Sequence, residues 1–210
     1  AYPALVPAGN KIVKATVVGK DRERKKAKKA ERISQYMSYQ ILEEMDSWEE
    51  DMDKLLIMLP IVGTLFKKTY FDTVKKKPCS RLVLAQNLVV NNWATCLEEA
   101  ERISEILYIS KRTLKSRQLS GVFRDVDLGD PHVYDDGNKP ADSRNDETTP
   151  YQIIEQHCYY DLDDDGYSEP YVVTFDRYSK EVLRISARFE LDGLILNDKG
   201  DIAAIEPINY

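Results

Sequence analysis

The segment Ile153–Phe175, IIEQHCYYDLDDDGYSEPYVVTF, constrains the fold more than any other part of the chain. Two arms rich in β-branched and aromatic residues flank Asp161-Leu162-Asp163-Asp164-Asp165-Gly166. That pattern predicts two strands joined by a tight turn, because Asp and Gly tolerate the backbone that turns require. The same turn raises a chemical question. Asp161, Asp163 and Asp165, followed by Gly166, match the first half of an EF-hand calcium loop, in which alternate carboxylates converge on one hard cation. The second half does not match: the loop's last ligand position falls on Val172, and the flanks read as strands where an EF-hand has helices. A calcium turn of another kind would draw on Glu169 or on backbone carbonyls to complete the shell. Two readings stand at this point: a weak Ca2+ site of Asp161, Asp163, Asp165 and Glu169, which would make the chain a calcium-dependent interaction module built on the Asp161–Gly166 turn, or a solvent-exposed connection without a cofactor.

Helical periodicity dominates the N-terminal part. Residues 11–18 (KIVKATVV) alternate loosely and predict a strand. The basic run Lys20–Arg32 leads into apolar residues at Ala30, Ile33, Met37, Ile41 and Met45, whose spacing predicts an amphipathic helix over 22–45. The basic run is either a contact for phosphate or an acidic partner, or the solvated first turns of that helix. Ser47 and Glu50 fit a capping box at the start of a second helix, with Glu49, Glu50 and Asp51 favoured by the positive end of its dipole. Trp48, Met52, Leu55, Leu56, Leu59 and Val62 form a stripe expected to face the core, and Pro60 and Gly63 mark the helix end. A strand over Leu65–Phe71, a turn at Lys75–Pro78, one or two strands within Arg81–Val90 and a break at Asn91–Trp93 follow. Ala100–Ile109 favours a strand, and Ser110 is a candidate N-cap for a short helix to Arg117.

Gly, Pro, Asp and Asn crowd residues 121–150, and strands are expected again at Gln152–Tyr160, Tyr171–Phe175, Val182–Ile185, Leu194–Leu196 and Ile202–Ile205. The expected fold is α+β: two N-terminal helices packed on a mixed or antiparallel sheet, then a β-rich C-terminal half after a long polar loop. By composition the chain divides into a helical and strand portion (1–120), a polar loop or insert (121–150) and a β-rich portion (151–210).

Hydrophobic residues make up 42% and charged residues 31% of the 210-residue chain, a balance that supports a core and a solvated surface. The formal net charge of −6 argues against a surface that grips nucleic acid, because that affinity comes from neutralising phosphates. It is compatible with a surface that DNA passes. No run of about 18 apolar residues predicts a membrane span. Three cysteines, none closely paired, and two histidines fit free thiols better than a zinc site. Neither a phosphate-binding G-x-x-x-x-G-K-[ST] loop nor a G-x-S-x-G nucleophile turn occurs, and no enzymatic activity is expected. The start AYPALVPAG and the end AAIEPINY read as the interior of a longer protein, so the chain is expected to be a piece of one.

Taken in order, WEEDMDKLLIMLPIVGTLFKKTYFD, LVLAQNLVVNNWATCLEEAERISEILYISKRTLKSR, the polar stretch, IIEQHCYYDLDDDGYSEPYVVTFDRYSKEVLRI and AAIEPINY resemble the portal (head-to-tail connector) proteins of tailed bacteriophages and prophages, particularly the large portals of short-tailed phages. The resemblance rests on a helix and glycine leading into a strand that ends near Tyr-Asp, here Gly63 to Asp72. It also rests on a strand pair around an Asp-rich turn, here Asp161–Gly166. It implies a mechanical role: a structural subunit of a homo-oligomeric ring, dodecameric when full length, at one capsid vertex. Such a ring would dock terminase during packaging and tail adaptors afterwards, meet capsid and scaffold proteins, and let DNA pass without sequence specificity. The expected location is the virion, and the bacterial host cytoplasm during assembly, away from any membrane. The portion present would belong to the peripheral wing, or to the wing with a reach toward the clip. For subunit contacts, Arg24, Lys25, Lys28 and Lys29 are candidates on one side and Glu43, Glu44, Glu49 and Asp53 on the other. Opposite patches on one chain suit head-to-tail cyclic assembly, and the same patches also read as solvated faces.

Overall fold

The computed structural model describes residues 12–21, 23–132, 148–164, 166–197 and 202–208. The fold is α+β, with helices preceding antiparallel sheets. The chain divides into two compact units, Ala1–Ala85 and Gln86–Tyr210. This differs from the compositional division at residues 120 and 150. Strand pairing is the reason: Arg102–Ile109 pairs along its whole length with Tyr151–Tyr160, so the polar stretch is an excursion within one sheet.

The first unit holds α1 (Lys25–Tyr39), a π-helical turn (Gln40–Glu44), α2 (Trp48–Val62) and the antiparallel hairpin β1 (Leu65–Asp72) and β2 (Lys77–Leu84). Residues 12–18 show alternating exposure, but they form no strand and join no sheet, contrary to the strand expected there; Lys11 lies outside the described residues. Their polar groups turn to α1 instead. The Val13 N–H donates to Ser38 Oγ at 3.1 Å, Ser34 Oγ donates to the Val13 carbonyl, and Ser38 Oγ donates to the Ser34 carbonyl at 2.8 Å. The covered face of α1 is therefore Ser34 and Ser38, whereas Ile33 and Met37 of the expected stripe are exposed. Small hydroxyl side chains let a backbone come close and satisfy its donors, which larger side chains would prevent.

The capping box expected at Ser47 does not form. Ser47 has φ 61°, a left-handed backbone, and makes no side-chain cap. An N-cap serine normally sits in extended backbone, which aims its hydroxyl at the first turn. The Ser47 carbonyl instead accepts the Asp51 N–H at 2.9 Å, and Asp51 Oδ2 accepts the Leu82 N–H of β2 at 3.1 Å, tying helix to hairpin. No α2 side chain is fully buried: Trp48, Met52, Leu55 and Leu56 are half-buried, and Leu59 and Val62 are exposed. Two strands about 4.8 Å apart make too narrow a ribbon to cover a whole helix face. Gly63 ends α2 as expected, with φ 85° and its N–H on the Leu59 carbonyl. The hairpin turn spans residues 73–76, slightly before the expected Lys75–Pro78, because Asp72 Oδ1 accepts the N–H groups of Val74 and Lys75.

The second unit is built on a five-stranded antiparallel sheet in spatial order β3 (Leu88–Val90), β4 (Arg102–Ile109), β5 (Tyr151–Tyr160), β6 (Glu169–Asp176), β7 (Val182–Ala187), with a separate pair β8 (Leu194–Leu196) and β9 (Ile202–Ile205). Helix α3 (Lys111–Leu119) follows β4, and Ser110 caps it by accepting the Thr113 N–H at 3.3 Å. Leu107, Ile109, Leu114, Phe123, Leu128, Tyr151, Ile153 and Leu183 form the core. Phe123 and Leu128 come from the start of the polar stretch. It is pinned by Arg124 N–H to the Leu183 carbonyl, Gln118 Nε2 to the Val126 carbonyl and Tyr151 OH to the Gly129 carbonyl. Among the described residues no helix is long and apolar enough to cross a membrane.

Candidate contact surface and acidic turn

The β5–β6 register places Tyr160 opposite Glu169, which leaves residues 161–168 as the connection. Gly166, with φ 92°, donates its N–H to Asp161 Oδ2 at 2.9 Å, and Asp164 also takes a left-handed backbone with φ 58°. Asp161 thus organises the turn, while Asp163 and Asp164 point into solvent. Glu169 accepts the Tyr171 hydroxyl at 3.1 Å; burial, and then Glu169, raise the Tyr171 pKa. Asp165 lies outside the described residues, and among those described no three His, Cys, Asp or Glu side chains gather as a metal site.

The other candidates fall on the two helices of the first unit. Arg24, Lys25, Lys28 and Lys29 are exposed at the start of α1, with Lys25 Nζ 2.6 Å from Glu23. Arg24 itself is left-handed at φ 55°, and Asp21 Oδ2 accepts the Ala27 N–H of the first helical turn. Glu43 is exposed and Glu44 half-buried in the π-helical turn; Glu49 is exposed and Asp53 half-buried on α2. Glu49 and Asp53 both hold partners within the chain. The structure therefore presents a basic start of α1 and an acidic start of α2 on separate helices. Past those starts, both helices become apolar on exposed positions: Ile33, Tyr36 and Met37 on α1, Ile57, Leu59, Ile61 and Val62 on α2.

Three features escaped sequence reasoning. Lys67 lies 4.7 Å from the centroid of the Trp48 ring, and burial lowers its pKa against the opposing pull of Asp51. Asp46 holds Lys77 at 2.6 Å and Lys75 at 3.7 Å; the Lys77 hydrogen bond lowers the Asp46 pKa and raises that of Lys77. In the second unit, Glu105 and Glu155 stand opposite each other in the β4–β5 register, and His157 Nε2 lies 3.5 Å from Glu155 Oε1. Glu105 is buried on the same sheet face as Ile103, Leu107 and Ile109, and Glu105, Glu155 and His157 each hold a partner. The available signal was Glu105 itself, a carboxylate on the apolar side of an alternating strand.

No protein-family model and no curated protein matches the chain.

Proposed function

We propose that this chain is part of a structural subunit of a phage portal ring, the capsid-vertex channel through which DNA is packaged and ejected. In this role it self-assembles head to tail, presents docking surfaces to terminase, tail adaptors and capsid or scaffold proteins, and lets DNA pass without sequence specificity. No bond-making centre is part of the proposal. The supporting observation is the order of two local structures in one chain. An α-helix ends at left-handed Gly63 and runs into a strand ending at Asp72. Further on, an antiparallel strand pair closes on the Asp161–Gly166 turn. These are the two features on which the portal resemblance rests. Net charge of −6 suits a passage that must not hold phosphates tightly. Electron microscopy of the parent polypeptide tests the proposal: annuli with a central hole are expected, and a parent that stays solitary and shows no toroidal particles contradicts it.

A further inference from the structure

The first unit buries one apolar side chain fully among its described residues, Val83, yet Ile33, Tyr36, Met37, Ile57, Ile61 and Val62 lie exposed on its two helices. The helices share a longitudinal pattern. Helix α1 begins basic, with Lys25, Lys26, Lys28 and Lys29, and becomes apolar at Ile33 and Met37; α2 begins acidic, with Glu49, Glu50 and Asp53, and becomes apolar at Ile57 and Ile61. Both have 15 residues. Laid parallel in one register, Lys25 meets Glu49, Lys26 meets Glu50, Lys29 meets Asp53, Ile33 meets Ile57 and Met37 meets Ile61. Positions 26, 29, 33 and 37, and 50, 53, 57 and 61, are spaced three or four residues apart, so each set follows one helix face.

We infer that α1 of one copy docks in parallel against α2 of a second copy, in this single register. The occupant of the exposed helix faces is another copy of this chain because its own second helix supplies both the opposite charge and the matching apolar end. An antiparallel arrangement would set the charged turns against the apolar ones. The contact is heterologous: each copy offers α1 to one neighbour and α2 to the other, which closes into a ring or continues as a filament. Opposed charges select the parallel register and speed encounter, and apolar burial holds the pair. Glu49 and Asp53 already hold contacts within the chain, so the inference uses the sign of their charge. It rests on the ring reading and adds the subunit surface.

The test is sedimentation velocity of the 210-residue chain over a range of concentration at low and high salt, with three variants. Variant A carries Lys25→Glu, Lys26→Glu and Lys29→Glu. Variant B carries Glu49→Lys, Glu50→Lys and Asp53→Lys. The third is Ile61→Lys, at a position 80% exposed and so without consequence for folding. The wild type is expected to associate, more weakly as salt rises. Each variant is expected to weaken association by at least about tenfold, and an equimolar mixture of A and B to restore it, since each then offers the other an opposite charge. A wild type that stays monomeric, or an Ile61→Lys chain that associates as well as wild type, overturns the inference, as does an A–B mixture no stronger than A or B alone when both are folded by circular dichroism. The two readings fail separately. Annuli in the parent with no effect of these variants would refute the surface and keep the ring; variant-sensitive association into open filaments in the parent would keep the surface and refute the ring.

Discussion

The two units spend their apolar residues differently. In the second, Ile103, Ile153 and Leu183 are almost wholly buried, and α3 with residues 121–128 closes one end of the sheet into a core. In the first, Val83 is the one fully buried apolar residue described, and the sites of lowest exposure on α1 are two serines. Polar contacts hold it instead: Ser34 and Ser38 on the N-terminal stretch, Asp51 on Leu82, Asp46 on Lys77, and Lys67 over Trp48. A two-stranded hairpin is marginal on its own. The second unit holds most of the buried apolar side chains described, and the first leaves apolar side chains exposed on both of its helices.

The contrast is sharpest in core truncation. Ile153→Ala, at a position with no exposure, is expected to cost about 2–5 kcal/mol. The same truncation at Ile61 is expected to change monomer stability by less than about 0.5 kcal/mol. Denaturant melts at low concentration, where association is absent, check both; an Ile61→Ala loss near that of Ile153→Ala would break the distinction.

Next come two close backbone contacts, one per unit. A Cβ on Gly193 would lie 2.7 Å from the Glu206 carbonyl oxygen, so Gly193→Ala is expected to cost about 1–3 kcal/mol, localised to the β8–β9 pair. Ser38→Ala removes the acceptor of the Val13 N–H and is expected to cost about 1–3 kcal/mol, releasing residues 12–18 while β4–β5 stays unchanged. Residue-resolved hydrogen exchange reads both.

A smaller effect concerns Lys67. Burial lowers its pKa from the ordinary 10.5, and Asp51 opposes this. The unfolded chain therefore holds the proton more tightly, so the stability of the first unit rises as pH climbs from the lowered value towards 10.5. Lys67→Met is expected to remove that contribution to the alkaline rise, at the loss of the ammonium's contact with the Trp48 ring. Melts between neutral and alkaline pH check the sign; a rise that persists undiminished in Lys67→Met contradicts the assignment. The mildest effect is chemical. Burial raises the Cys158 pKa despite Arg188 and Arg102, whereas Cys96 is exposed. Alkylation followed by mass spectrometry should therefore modify Cys96 first.

What could be read from sequence was local. The β5–β6 pair, Gly63 as a helix end and Ser110 as a cap depend on neighbours a few residues away, and all formed. The facing of α1 was hidden because an apolar stripe at helical spacing implies burial only if something wide enough lies over it; an N-terminal stretch needing polar partners selected Ser34 and Ser38. Ser47 and Glu50 had capping-box chemistry, but Ser47 takes a left-handed backbone and makes no side-chain cap. Phe123 and Leu128 lie with Val122 and Val126 in a short segment broken by Asp and Gly, too brief for a periodicity to mark them as core. Among the candidate site residues, the charges of α1 and α2 could be identified as patches. Their shared basic-to-apolar and acidic-to-apolar order emerged only once helix limits and exposures were known.

Completion of the poorly cored unit by another copy is read out by hydrogen exchange of the wild-type chain as a function of its own concentration. Slower exchange in Lys25–Tyr39 and Trp48–Val62 as concentration rises, with β4 and β5 unchanged throughout, is the predicted result. Exchange in both helices that does not vary with concentration would contradict it.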